Sequence, residues 1–149
     1  MIKNIWSILC KQSIIDRETN NLSILDILEE IKVNINPEKS LKIKDIDIPI
    51  NINYEFISLW KRDTSSSVEK FTLQLSIHDP QKKVIKTFNQ EVIFQQGITN
   101  HRSIFRISGF LATTSGEYLF KIKVLENQKE NYQEIPLKID IITAKMIQQ

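Results

Sequence analysis

The sequence predicts an all-β protein: one antiparallel β-sandwich of about eight strands spanning residues 1–149, with a short helix near 25–31 as the only alternative element. Three observations predict it. Several segments alternate apolar and polar residues with a period of two, the mark of a half-buried strand. Turn-forming residues separate them at short intervals. Isoleucine dominates the apolar residues, and its branched Cβ favours strands. An AT-rich genome produces the same bias, so composition counts for less than periodicity.

The chain opens with "IWSILCKQSIIDRETNNLSILDILEEI". Its β-rich ends flank "RETNN", a charged and turn-prone centre. The later "LDILEEI" fits one and a half helical turns, through Leu22, Leu25 and Leu28 or through Ile24, Leu28 and Ile31. It has no glycine stop and no room for a long helix. The all-β context favours a strand over Leu22 to Ile35, interrupted near Asp26 to Glu29. "NPEKSLKIKD" is then the one long connection.

"IPININYEFISLWKR" alternates through Ile48, Ile50, Ile52, Tyr54 and Phe56, then changes parity to Ile57 and Leu59. A slip of one residue turns core side chains to solvent unless a bulge absorbs it, which predicts a bulge near Phe56-Ile57. "RDTSSSVE" is a polar loop. "KFTLQLSIHDP" is the cleanest strand, with Phe71, Leu73, Leu75 and Ile77 on one face, stopped by Asp79-Pro80. "KKVIKTFNQEVIF" returns as its hairpin partner. "NHRSIFRISGFLA" carries apolar residues of both parities, so it is buried on both faces or irregular. "SGEYLFKIKVLE" places Tyr118, Phe120, Ile122 and Val124 together. "NYQEIPLKIDIITA" does the same for Ile135, Leu137, Ile139 and Ile141. Pro136 lacks an N–H, which predicts a sheet edge or an adjacent bulge for this strand.

At 149 residues the chain suits one domain large enough to bury a core without disulfide or metal. The net charge is +2, from 20 basic and 18 acidic side chains, which gives no electrostatic case for nucleic acid or an anionic membrane. The densest basic run, "QKKVIK", reads as a solvated hairpin end. Three glycines leave no phosphate-binding loop. No segment approaches the ~20 apolar residues of a membrane-spanning helix. "SILC" invites a lipidated Cys10. Leu9 stands where a small residue is needed, however, and too few residues precede it for a signal peptide. A cytoplasmic location is the expectation.

Both ends and the middle of the chain resemble a type of small, uncharacterised bacterial protein with an immunoglobulin-like β-sandwich. That type opens with a long hairpin, here "IWSILCKQSIID" and "NNLSILDILEEI". It closes with a G-x-Y-x-F strand and an I-P-L-x-V/I strand, here "GEYLFKIKVLE" and "EIPLKIDI". "LQLSIHDPQKKVI" is similar to its central hairpin, with Lys82-Lys83 where a glycine is usual. The resemblance implies the fold and brings no active site or function.

Chemistry is sparse. A nucleophile needs a positioned base, and only His78 and His101 offer an imidazole. No serine sits in a nucleophile elbow. Cys10 lies in an apolar strand, where cysteine serves as a small hydrophobe. One cysteine and two distant histidines do not make a zinc site. Asp45 and Asp47 stand two apart, as in the calcium loops of C2-like sandwiches, with Asp63 or Asp79 as further ligands. Beside Lys42 and Lys44 the commoner reading is that both are solvated carboxylates. Trp60 and Arg62 are the candidate interaction residues, since Trp and Arg are enriched at interface hot spots. Core packing is the commoner fate of such a Trp.

The expectation is therefore no enzyme and no cofactor. The chain reads as a non-catalytic protein-interaction module, one component of a bacterial assembly, with a protein partner or a second copy as its target. The alternative is a small-ligand-binding sandwich taking calcium, lipid or sugar at its loops.

Overall fold

The computed structural model describes residues 1–36, 47–126 and 132–143. Among them are nine strands and no helix: β1 (Ile2–Ile15), β2 (Leu22–Ile27), β3 (Glu30–Ile35), β4 (Ile48–Arg62), β5 (Glu69–His78), β6 (Val84–Phe94), β7 (Asn100–Ala112), β8 (Gly116–Val124) and β9 (Tyr132–Thr143). Two sheets pack face to face, in the orders β2-β1-β4-β7 and β3-β9-β8-β5-β6. The long connection expected at "NPEKSLKIKD" lies outside the described residues, apart from Asn36.

The helix near 25–31 does not form. β2 and β3 are separate strands in different sheets, and the break between them is where the chain changes sheets. Asp26 takes a left-handed φ of 54°. The Leu28 N–H then donates to the Leu9 carbonyl, and its side chain enters the core.

The sandwich is not wholly antiparallel. β3 runs parallel to β9, from Glu30↔Lys138 to Ile35↔Thr143, because the chain crosses between sheets before β3 begins. β9 is consequently an inner strand, which corrects the edge position inferred from Pro136. The Lys138 N–H points to the β3 side and donates to the Glu29 carbonyl. Pro136, two residues earlier, faces the same side before β3 has started, so its missing N–H breaks no ladder bond.

Alternation on β5, β8 and β9 behaves as read. Phe71, Leu73, Leu75, Ile77, Tyr118, Phe120, Ile122, Val124, Leu137 and Ile139 are buried, and Ile135 and Ile141 pack against the core. Each such large apolar side chain, fully buried, contributes roughly 1.5–3 kcal/mol. The Tyr118 hydroxyl folds back on the β7–β8 corner. It donates to the Thr114 carbonyl at 2.7 Å and accepts from the Thr113 N–H at 2.9 Å.

No bulge occurs at Phe56-Ile57. Both residues are fully buried, on opposite faces of β4. Phe56 belongs to the core, while Ile57 faces outward with Leu59. The β1–β2 hairpin lies over that outer face: Ser13 Oγ donates to Glu55, and Arg102 Nη2 donates to the Asn20 carbonyl at 3.0 Å. Both faces of β4 are thus covered, which is why both parities are apolar. Register shifts fall instead opposite Asn4–Trp6 of β1 and between Ile50 and Asn53, against β7. There Gly109, at φ 79°, carries the change of buried parity on β7 from Ile107 to Phe110.

Candidate functional site

The two residues singled out by sequence are structural. Trp60 is 0% exposed, and its indole N–H donates to Ser58 Oγ at 2.7 Å. Arg62 is 2% exposed. Its Nε donates to the Ile98 carbonyl at 2.8 Å, Nη1 to Ser67 at 2.7 Å and Nη2 to Gln95 at 2.7 Å. Glu69, half-exposed, stands 3.7 Å from Nη1 and adds little in water. The guanidinium ties the β4–β5 and β6–β7 connections together. Neither side chain presents a surface to a partner, because the end of β4 is enclosed by those connections.

Cys10 is fully buried, and burial pushes its thiol up to about 11, with the nearby Glu55 charge adding to the rise and the Gln12 N–H opposing it. A thiol held protonated is a poor nucleophile. His101 is half-buried against the Phe94 ring, and burial pushes its imidazole down. His78 is closer to chemistry than its position suggested: its Nε2 lies 3.0 Å from Ser76 Oγ on the outer face of β5. Ser76 also contacts the Lys121 carbonyl. No carboxylate orients the far side of the His78 ring among the described residues, and the pair does not line the cleft described below.

The carboxylates do not converge. Asp45 lies outside the described residues. Asp79 holds the β5–β6 turn by accepting from the Gln81 and Lys83 N–H groups. Asp63 pairs with the Met1 ammonium at 3.5 Å. Among the described residues no three His, Cys, Asp or Glu side chains are grouped as metal ligands. No helix among them is long and apolar enough to cross a membrane.

The feature that sequence reading missed is a cleft of ≈ 370 Å³ at one end of the sandwich. Ile50 and Tyr54 of β4, Ile77 of β5, Ile85 of β6 and Phe110 of β7 form its walls, and Lys86 is its one charged lining residue. The Tyr54 ring meets Phe110 and Phe120 edge-on, at 6.5 and 6.0 Å. Its buried hydroxyl has no hydrogen-bond partner among the described residues, and burial raises its ionisation well above the ordinary range. A buried unpaired hydroxyl costs roughly 1–3 kcal/mol. The sequence hint was the mixed parity around Gly109, where the β4–β7 ladder slips and the sheets part.

Large apolar side chains also stand exposed. Ile14, Leu25 and Ile27 are 52%, 44% and 59% exposed on the β1–β2 hairpin, and Leu111 is 53% exposed at the cleft. No family model matches the chain, and no curated protein matches it.

Proposed function

We propose that this chain is a non-catalytic protein-interaction module with an immunoglobulin-like fold, one component of a bacterial cytoplasmic assembly. The observation that carries it is the exposure of Ile14, Leu25, Ile27 and Leu111 beside sheet edges that have no neighbouring strand among the described residues. Apolar side chains next to unpaired backbone mark contact surfaces. Three of the groups weighed for chemistry or contact hold the fold instead: Arg62 on three carbonyls, Asp79 in a turn, Cys10 buried.

The immunoglobulin-like assignment is supported by topology. The order β1-β4-β7 corresponds to A-B-E, and β9-β8-β5-β6 corresponds to G-F-C-C′. Tyr118, near the start of β8, makes the backbone contacts of a tyrosine corner at the F position.

The test is affinity purification of the tagged protein from its native cell, with mass spectrometry, alongside light scattering. A reproducible partner or a concentration-dependent oligomer is expected. A monomer at high concentration that recovers no partner would sink the reading.

The cleft favours a second reading, a small-ligand sandwich that takes a lipid-like guest. Its calcium form rests on Asp47 together with Asp45. A ligand that binds only the folded state raises the melting temperature. Unchanged melting in millimolar calcium and in millimolar decanoate would remove this reading.

A further inference from the structure

The seam where β6 and β7 face each other is closed at one end and open at the other. Near the 95–99 connection, Phe94 packs edge-on against His101 at 6.0 Å and Ser103 Oγ donates to Gln90. Toward Ile85 and Phe110 the sheets part and the ≈ 370 Å³ cleft opens between them. β7 borders this cleft as the outermost strand of its sheet.

Four strands have an open edge among the described residues: β2, β3, β6 and β7. β2 and β3 are 6 residues each, and β2 carries the left-handed Asp26 near its end. β6 opens on a register shift that leaves Ile85 as an extra residue at its cleft end, and is regular from Lys86 to Phe94. Shortness and bulges blunt an edge against pairing. β7 is 13 residues long and regular from Asn100 to Ser108. Charged side chains could shield such an edge, but those of β7 are turned away. Arg102 donates to the Asn20 carbonyl, and the Arg106 Nε lies 3.6 Å from Glu55. Both lean over the outer face of the sheet, and no neighbouring strand covers the β7 edge among the described residues.

Charge names the guest. β6 and β7 together carry Lys86, Arg102 and Arg106 against Glu91 and the Glu55 that pairs with Arg106, and Lys86 sits in the cleft wall. We propose that β7 accepts an extended acidic segment of a partner protein as an added strand, seating one apolar side chain in the cleft beside Lys86. In an added strand every second side chain faces inward, so an apolar anchor and its i±2 neighbour reach the cleft while the backbone pairs with β7. A second copy of this chain fits less well, because a β7–β7 pair brings two sets of arginines together. This proposal rests on the interaction-module reading and names its surface and partner.

The probe is a displayed library of ten-residue peptides selected on the full chain. Selected peptides should carry Asp or Glu near one Leu, Ile or Phe. The bound peptide should slow amide hydrogen exchange at least about tenfold within Asn100–Ser108. Methylating alternate peptide nitrogens should abolish binding. Lys86→Glu, at an exposed position, should weaken it at least about fivefold while leaving the circular dichroism spectrum unchanged. Failure to select a binder overturns the proposal. So does selection of basic peptides, protection confined to β2 or β3, or full binding by the methylated peptide. A native partner whose footprint misses β7 overturns this proposal and leaves the interaction-module reading standing. Absence of any partner removes that reading itself.

Discussion

The Arg62 guanidinium carbon lies 4.9 Å from the centroid of the Phe94 ring, stacked where its three donated hydrogen bonds hold it. This pairing lets a charged side chain sit 2% exposed at the end of a strand. A buried charge survives when its hydrogen bonds are satisfied, and an aromatic face adds to the attraction.

Arg62→Met should therefore destabilise the fold by about 3 kcal/mol, because it strands three carbonyls and removes the link between two connections. Urea unfolding measures this. A loss under about 1 kcal/mol would mean that water replaces the guanidinium there without difficulty. Arg62→Lys should recover only part of the loss, since one ammonium cannot reproduce the guanidinium fork.

Tyr118→Phe should cost about 1–3 kcal/mol. The ring stays buried against Phe110, 5.1 Å away, so the change isolates the hydroxyl bonded to Thr113 and Thr114. An unchanged urea midpoint would show that the corner is held by packing alone.

Gly116→Ala tests the neighbouring close approach. A Cβ there would lie 2.8 Å from Pro80 Cγ, in a backbone with φ 147°. Strain of that kind costs of order 1–3 kcal/mol, read as a fall in melting temperature of several degrees. A melting temperature equal to that of the parent protein would contradict the contact.

Cys10 gives a pH dependence. Its folded thiol is raised to about 11, first by burial and then by Glu55. The unfolded chain ionises near ~8.5, so between these values the unfolded state has lost a proton that the folded state keeps. The stabilisation is present below the unfolded value and is lost as pH rises through about 11. Stability should fall from about pH 8.5 upward, by of order 2 kcal/mol from this group, and Cys10→Ala should flatten the decline. An identical pH profile in the variant would show that other groups cause it. In the native protein at pH 8, a thiol reagent should label Cys10 at least about tenfold more slowly than in denaturant.

Leu25→Lys combined with Ile27→Lys addresses the hairpin surface. Both positions are exposed, so stability should change by about 0.5 kcal/mol or less. Recovery of a native partner that uses the hairpin should fall severalfold. Unchanged recovery would direct attention to the cleft edge and away from β2.

Alternation along Phe71–Ile77, Tyr118–Val124 and Ile135–Ile141 was legible because side-chain direction in a strand depends only on position along it. The same rule assigned Cys10 to an apolar strand; core packing of Trp60 was expected only as the commoner fate of a tryptophan. It could not assign Arg62, whose three acceptors come from Ser67, Gln95 and Ile98, in connections brought together only by the folded chain. Nor could it place Pro136, because the freedom of its missing N–H depends on where β3 starts across the sheet. The apolar outer face at Ile57 has meaning only once the β1–β2 hairpin lies over it. Period two encodes which face a residue takes. Which strand lies alongside, and whether a face is covered or a seam stays open, is set by contacts between segments distant in sequence, and those decided the cleft and the position of β7 at the end of its sheet.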